Sequence, residues 1–216
     1  MLEKDNISIV IKLLSKEYHQ ASSMLNFNTP FELLIATILS AQCTDERVNK
    51  VTSELFKDYN TPAKIIELGG NGLKKIIRSC GLSNTKSKNI ISTCEMLINE
   101  YYGEVPEFKE VLVKLPGVGR KTANVVISNA FGKNAIAVDT HVFRVSNRIG
   151  LAQAKDVINT EKQLMCNIPE ELWSKAHHWL IYHGREICKA RNPKCNNCII
   201  NSYCEYFKTE VKTNEA

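Results

Sequence analysis

The sequence predicts an all-α protein, and three observations carry that prediction. Apolar residues recur at helical spacing through most of the 216 residues. Helix-start signals such as Thr29-Pro30 and Thr61-Pro62 precede several of these stretches. Alternating strand patterns are nearly absent; residues 135–138 form the one candidate strand, which is too short to build a sheet. We therefore expect helices joined by short turns, in a chain long enough to bury a core in one or two domains.

Capping residues and glycines set the predicted helix boundaries. Thr29 is predicted to cap a central buried helix, with Pro30 at its first position and Glu32 completing a capping box. A further capping box is predicted at Thr160-Glu161-Lys162-Gln163, and glycines after apolar stretches are predicted to end helices. In chain order the predicted helices span 31–41, 62 to the Gly69-Gly70 pair, 73–80, 85–102, 105–115, 122–131, 140–149, a helix opened by the box at 160, and 172–187.

Charge and hydropathy narrow the class of protein. The formal net charge of +5 permits an acidic partner such as DNA but does not by itself indicate one. The sequence contains no apolar run long enough to span a membrane. Residues 1–12 carry acidic side chains and no small-residue cleavage site, which argues against a secretion signal. We expect a cytoplasmic protein that does not enter a membrane.

The eight cysteines fall into two groups. Four are scattered among apolar neighbours, and we expect them to be small buried hydrophobic side chains: Cys43, Cys80, Cys94 and Cys166. The other four crowd together near the C-terminus, separated by six, two and five residues: Cys188, Cys195, Cys198 and Cys204. Disulfides are rare in the cytoplasm, so four thiols in one short loop indicate a metal site. The spacing alone leaves zinc and an iron–sulfur cluster open.

Residues 115–123, Leu-Pro-Gly-Val-Gly-Arg-Lys-Thr-Ala, lie between two predicted helices. Gly117 and Gly119 permit positive φ and leave the backbone bare around Val118, so several amide N–H groups can point one way at a helix start. Arg120 and Lys121 add positive charge where a phosphate would lie. The run resembles the helix-hairpin-helix motif, which grips the DNA backbone without reading its sequence. The alternative is a plain helix–helix turn with two glycines.

Lys121 is predicted to be a nucleophile. A cation in the first turn of a helix faces the positive end of the helix dipole, which is unfavourable for a purely structural lysine. Beside Arg120, and partly desolvated when DNA covers it, the amine should lose its proton more readily and form a Schiff base. The alternative is a solvated side chain that only contacts phosphate.

Asp139 is predicted to cap the helix that follows the short extended run. The alternative to a catalytic role is that it only caps this helix. A carboxylate fixed in this way can stabilise the positive charge that a sugar develops as its glycosidic bond breaks. The same carboxylate could help Lys121 to lose a proton. His141 could orient neighbouring groups or contact phosphate; a histidine satisfied within the fold is the other interpretation.

With hairpin, lysine, aspartate and cysteine loop in this order, the chain resembles the endonuclease III family from about Asn26 to Tyr206. The resemblance includes the runs 39–42, 135–141 and 177–185. It implies an iron–sulfur protein with a [4Fe–4S] cluster on the four C-terminal cysteines.

The resemblance also implies the domain organisation. A six-helix lobe would span 23–133 and contain the hairpin. A cluster lobe would combine 1–22 with 134–216 and hold the loop at 188–204. DNA would lie in a cleft between the lobes, with Lys121 and Asp139 at its mouth.

The function implied is base-excision repair by a monomer that works on nucleoid DNA. The enzyme would flip an oxidised pyrimidine out of the duplex, remove it, and cut the strand 3′ to the abasic site by β-elimination. Gln42 and Leu82 match the positions that fill the emptied stack. The loop cations Lys189, Arg191 and Lys194 would form a basic surface beside a phosphate.

Three other functions stay open at this stage. A sibling family removes adenine mispaired with oxidised guanine, but it normally lacks this lysine and carries a large extra C-terminal domain, whereas this chain ends soon after Cys204. A non-catalytic DNA-binding or redox protein would use only the hairpin and the cluster. A structural module would use zinc instead of iron.

Overall fold

The computed structural model describes residues 1–211, and all regular structure in that range is helical, as the sequence predicts. None of the helices in that range has the length and apolar character needed to cross a membrane. The α-helices are α1 (Lys4–Glu17), α2 (Pro30–Leu39), α3 (Asp45–Asp58), α4 (Pro62–Ile76), α5 (Ser83–Tyr101), α6 (Lys109–Leu112), α7 (Arg120–Ala130), α8 (Thr140–Ile149), α9 (Val157–Asn167) and α10 (Trp173–Glu186). Short 3-10 turns occur at Ile77–Cys80, Glu170–Leu172 and Cys195–Asn197, and a π-helical turn at Phe207–Val211.

The chain divides into two compact units. We call Ser23–Lys133 the hairpin unit; it contains α2 to α7. The cysteine unit combines Met1–Ser22 with the chain from Asn134 onward, and it contains α1 and α8 to α10. Residues 212–216, the end of the predicted cluster lobe, lie outside the described residues.

The hairpin unit is built around α2. The Thr29 hydroxyl accepts the Glu32 N–H at 3.2 Å and opens the helix as predicted. The Glu32 carboxylate reaches back to the Asn28 N–H, one residue before the cap, at 2.6 Å. Every residue from Phe31 to Leu39 is buried, and α2 packs against α3, α5 and α7. A helix that is apolar on all sides must lie at the centre of its unit.

Two boundaries in the hairpin unit differ from the predictions. Gly69 does break the helix, with φ 70° and ψ 163°, but helical structure resumes at once and α4 runs through a kink to Ile76. The helix predicted for 105–115 is four residues long, Lys109–Leu112, and turns complete the segment.

The cysteine unit packs α1 and α8 against α10. Its core includes Leu14, Val142, Val145 and Leu180, each fully buried. The capping box predicted at Thr160 is wrong. The helix begins one turn earlier at Val157, because the Asp156 carboxylate accepts the Asn159 N–H at 2.8 Å and caps the helix first. Thr160 lies inside α9, where its hydroxyl donates to the Asp156 carbonyl at 2.8 Å.

Residues 135–138 have no regular secondary structure, and they pair with no strand among the described residues. The segment leads directly into α8 and places Asp139 at its cap.

Candidate functional site

One face of α5 organises the hairpin. Thr93 donates its hydroxyl hydrogen to the Pro116 carbonyl at 2.9 Å. One turn earlier, Asn89 lies against Gly117, so close that a Cβ at this glycine would stand 2.9 Å from the Asn89 amide nitrogen. Residues three to four apart share a helix face, so α5 fixes the hairpin from one side.

The two hairpin glycines serve different purposes. Gly117 has φ 79°, a conformation that favours glycine. Gly119 was predicted to permit positive φ as well, but its φ is −90° and it caps α7 in an extended conformation. A Cβ at Gly119 would meet nothing within 4 Å. The absent side chain therefore leaves the start of α7 open from outside, where the first-turn N–H groups lack intrahelical acceptors.

Arg120 and Lys121 occupy the first two positions of α7, and both are exposed. Val118, just before them, is buried at 5% exposure and anchors the loop, with its N–H bound to the Leu115 carbonyl at 3.0 Å. The hairpin thus presents two cations and a set of amide groups on a fixed backbone. Such an arrangement has the chemistry to bind a phosphate.

Gln42 and Leu82 lie on two exposed turns of the same unit, which we call the wedge turns (residues 40–43 and 80–82). Gln42 has φ 54° and Leu82 has φ 49°, and neither residue is glycine. Leu82 is 55% exposed and Gln42 is also exposed. A left-handed conformation costs such residues on the order of 1 kcal/mol, so the surrounding structure must hold it.

Lys86 fixes the backbone of both turns. It is 4% exposed, and its ammonium donates to the Leu39 carbonyl at 2.7 Å and to the Cys80 carbonyl at 2.8 Å. The first carbonyl ends α2 just before one wedge turn, and the second begins the other turn. Burial lowers the pKa of Lys86, while the nearby thiols Cys43 and Cys80 oppose that shift.

Asp139 caps α8 as predicted. Its Oδ1 accepts the N–H groups of His141 and Val142, each at 2.8 Å. The side chain is 15% exposed, so the carboxylate is fixed yet still reachable. The N-terminal end of the helix dipole also favours negative charge there.

His141 lies beside the same carboxylate, with Nδ1 3.7 Å from Asp139 Oδ2. Burial lowers the pKa of His141, and the Asp139 charge partly opposes the shift. The lowered pKa favours a neutral ring beside the carboxylate. His177 Nδ1 lies 2.7 Å from the Ala137 carbonyl and ties the segment before Asp139 to α10.

The four C-terminal cysteines line a common cavity whose walls include Ile149, Ile200 and Phe207. None of the four forms a disulfide. Within residues 1–211, no three potential ligands converge as they would around a single ion. Four thiols around an apolar cavity suit a multi-iron group, which each cysteine binds from its own side.

Two arginines of α8, one turn apart, hold the beginning of the cysteine loop. Arg144 donates to the carbonyls of Cys188, at 3.1 and 3.0 Å, and Gly184, at 2.9 Å. Arg148 donates to the Lys189 carbonyl at 2.7 Å, and its Nη1 lies 3.7 Å from Cys188 Sγ. The helix that Asp139 caps is thus bonded directly to the cysteine loop.

His183 adds a third contact to the loop. It is 1% exposed, with Nδ1 3.1 Å from the Tyr18 hydroxyl and Nε2 3.6 Å from Cys198 Sγ. Burial lowers the pKa of His183 to about 4, so the ring is neutral. When the Tyr18 hydroxyl donates to Nδ1, the ring proton lies on Nε2 and points toward the sulfur.

The side chains of Lys189, Arg191 and Lys194 are all exposed on this loop. The backbone beneath them is held by the Arg148 contact with Lys189 and by the Lys194 N–H, which bonds the Ile187 carbonyl at 3.0 Å.

Sequence reasoning missed four residues that position this site: Lys86, Arg144, Arg148 and His183. The spacing of Arg144 and Arg148 on one face of α8 was a usable signal. The prediction of four buried cysteines outside the loop was wrong for two of them, since Cys166 is exposed and Cys43 is partly exposed. Cys80 and Cys94 are buried as predicted.

Comparison with known proteins gives consistent matches. Residues 35–170 match the family model of the HhH-GPD superfamily of base excision DNA repair proteins. Residues 188–204 match the model described as the iron-sulfur binding domain of endonuclease III. Endonuclease III of Haemophilus influenzae is 52% identical over 206 residues, which cover 95% of this chain and 97% of the relative.

Two solved structures are similar over nearly the whole chain. One is a trapped endonuclease III–DNA covalent intermediate, with a TM-score of 0.92, 50% identity, and coverage of 96% of this chain and 98% of that one. The other is a non-covalent endonuclease III–DNA complex, with a TM-score of 0.93, 48% identity and full coverage of both chains.

Proposed function

Because the chain belongs to the endonuclease III family of the HhH-GPD superfamily of base-excision DNA repair proteins, we propose that it removes oxidised pyrimidines from duplex DNA and then cuts the strand. It is a DNA glycosylase and abasic-site lyase that carries a [4Fe–4S] cluster. The observation that carries the detailed proposal is the exposed amine of Lys121 at the open start of α7.

The hairpin grips the DNA backbone. A phosphate accepts hydrogen bonds from the amide groups of residues 117–121, and Arg120 neutralises part of its charge. The bare backbone at Gly119 allows the phosphate to approach. These contacts fix the register of the duplex without reading its sequence.

The chemistry uses Lys121 and Asp139. Lys121, with its proton lost, attacks the sugar C1′ of the flipped nucleotide. Asp139 stabilises the positive charge that develops on the sugar as the base leaves. The resulting Schiff base makes the C2′ proton acidic, and β-elimination then breaks the strand 3′ to the lesion. An abasic site enters the sequence at the Schiff-base step, and His141 keeps the carboxylate oriented.

Gln42 and Leu82 act as the wedge. Base flipping leaves a gap in the stack, and unstacking costs a few kcal/mol that inserted side chains offset. Both residues stand on exposed turns whose backbone is held in place by Lys86. Leu82 can fill apolar space between bases, while Gln42 can hydrogen-bond the orphaned partner base.

We assign Cys188, Cys195, Cys198 and Cys204 as the cluster ligands. The cluster contributes folding energy to the loop and takes no part in removing the base. It fixes the backbone that carries Lys189, Arg191 and Lys194, which contact phosphate. The protein acts as a monomer, in the cytoplasm, on nucleoid DNA.

Base-release assays test this function. The pure holoprotein should excise thymine glycol from a duplex and cut an abasic strand, with little activity on adenine opposite oxidised guanine. Asp139→Asn should lose base release yet retain duplex binding. If the holoprotein binds DNA but cuts neither substrate, the chain is a non-catalytic DNA-binding protein. A preference for the adenine mismatch would assign the sibling activity.

A further inference from the structure

A chain of three side chains connects α1, α10 and the cysteine loop. Tyr18 ends α1 and is 6% exposed, and its hydroxyl lies 3.1 Å from Nδ1 of His183 on α10. The other ring nitrogen of His183, Nε2, lies 3.6 Å from the sulfur of Cys198. Hydrogen bonds therefore run from the end of one helix to one of the four loop cysteines, and we call this chain the Tyr18–His183–Cys198 relay.

The ring of His183 is fixed between its two partners. Its backbone carbonyl accepts the N–H groups of Ile187 and Cys188, at 3.0 and 2.8 Å, in the last turn of α10. The ring of Tyr18 packs edge-on against that of His183, with the ring centroids 5.9 Å apart. Because His183 is only 1% exposed, the imidazole has no room to turn toward solvent, and each nitrogen keeps its own partner.

The partners at the two ends of the relay select the same tautomer. A tyrosine hydroxyl carries a proton at neutral pH and can donate it to Nδ1. A thiolate that binds iron has no proton to give, so it can only accept a hydrogen bond from Nε2. The reverse tautomer would place the lone pair of Nε2 against the sulfur and would leave the Tyr18 proton without an acceptor in the relay. Tyr18 thus keeps the ring proton on the nitrogen that faces Cys198.

A hydrogen bond to a coordinated sulfur acts on the charge of the cluster. Four thiolates give a [4Fe–4S] cluster a net negative charge, and an added electron makes that charge larger. An N–H group that points at a ligand sulfur stabilises the reduced form more than the oxidised form, which raises the reduction potential. Arg148, whose Nη1 lies 3.7 Å from Cys188 Sγ, is a donor in any surroundings, whereas the donor character of Nε2 in His183 depends on Tyr18.

We propose that Tyr18 and His183 set the reduction potential of the iron–sulfur cluster, with Tyr18 holding His183 as a hydrogen-bond donor to the Cys198 thiolate. The proposal rests on the assignment of Cys198 as a cluster ligand and is independent of base removal. Both are positioning residues, and Tyr18 acts through His183. Gain or loss of one electron changes the charge of the cluster while the protons of the relay stay in place.

Protein-film voltammetry of the holoprotein measures the potential directly, with the electrode supplying the electron. Tyr18→Phe keeps the ring and its packing but removes the donor, which frees the ring proton of His183 to move to Nδ1. We expect the one-electron equilibrium constant to shift about tenfold toward the oxidised cluster, a fall of about 59 mV in potential. Tyr182→Phe is the matched control and should leave the potential unchanged. Its ring packs 6.3 Å from that of Tyr18, while both nitrogens of His183 already have other partners.

The sign of the shift separates the lost hydrogen bond from a loosened loop. Water that entered the cavity would stabilise the more highly charged reduced cluster and raise the potential, so a fall identifies the hydrogen bond. His183→Leu removes the donor outright and should lower the potential at least as much. Adding Tyr18→Phe to His183→Leu should change nothing further. If His183→Leu does not take up iron, Tyr18→Phe decides alone.

Three results would overturn the proposal. The first is a potential in Tyr18→Phe equal to or above that of wild type. The second is a further fall when Tyr18→Phe is added to His183→Leu. The third is a four-iron cluster retained by Cys198→Ala, which would remove the ligand on which the relay depends. Absence of base release by wild type would refute only the proposed function, because voltammetry of the cluster requires no turnover.

Discussion

Replacing Lys86 with methionine tests whether one buried ammonium holds both wedge turns. The change removes hydrogen bonds of 2.7 and 2.8 Å to the carbonyls of Leu39 and Cys80. Each buried carbonyl left without a donor costs about 1–3 kcal/mol. Methionine carries no charge that must be buried, which offsets part of that cost. We expect a net decrease of about 2–4 kcal/mol in the free energy of unfolding.

The assay is urea unfolding of the holoprotein followed by circular dichroism. Lys88→Met is the matched control, because Lys88 lies on the same helix and is exposed; it should change stability by less than about 0.5 kcal/mol. Under conditions where Lys86→Met remains folded, it should release thymine glycol more slowly while binding undamaged duplex almost normally. Equal stability of the two variants would show that Lys86 does not hold the turns.

Three further changes probe the hairpin, the cysteine loop and the pH response. Gly117→Ala should lower the free energy of unfolding of the hairpin unit by about 1–3 kcal/mol, because φ is 79° and the new Cβ would meet Asn89 at 2.9 Å. Gly119→Ala should barely change the free energy of unfolding but should weaken duplex binding. A larger loss of stability in Gly119→Ala than in Gly117→Ala would contradict these roles. Arg148→Ala should speed iron loss to a chelator, since it removes the 2.7 Å contact with the Lys189 carbonyl; an unchanged rate would show that α8 does not hold the loop. Burial lowers the pKa of His178 from 6.5 to about 4, and the neighbouring His177 adds to the shift. Its contribution to stability is therefore complete above pH 6.5 and is lost as pH falls toward 4, so His178→Gln should lose less stability than wild type between pH 7 and pH 5; an identical pH dependence of the two proteins would contradict this.

Local signals in the sequence were sufficient for the parts of the site that depend on local chemistry. Asp139 could be placed at a helix cap because an acidic residue follows an extended run and precedes apolar residues at helical spacing. Thr29-Pro30 likewise predicted the start of α2, because threonine is a capping residue and proline is favoured at the first helical position. The start of α9 was misplaced because Asp156 and Thr160 are both capping residues, and the earlier one adds a full turn of backbone hydrogen bonds.

The residues that connect distant segments could not be found in this way. A lysine on a polar stretch of α5 is normally exposed, and nothing near Lys86 in the sequence marks the carbonyl of Leu39, 47 positions away, as its partner. Helical periodicity alone does not show which helix meets which loop, so the bond from Arg148 to the cysteine loop also required the structure.

Borohydride trapping on abasic duplex DNA tests the central claim most directly, namely that Lys121 bonds to the sugar. Wild-type protein should form a stable covalent complex with DNA, and digestion should place the adduct on Lys121. Lys121→Gln should bind the same duplex and form no adduct. Trapping by Lys121→Gln at the wild-type level, or an adduct on another amine in the wild type, would contradict the assignment.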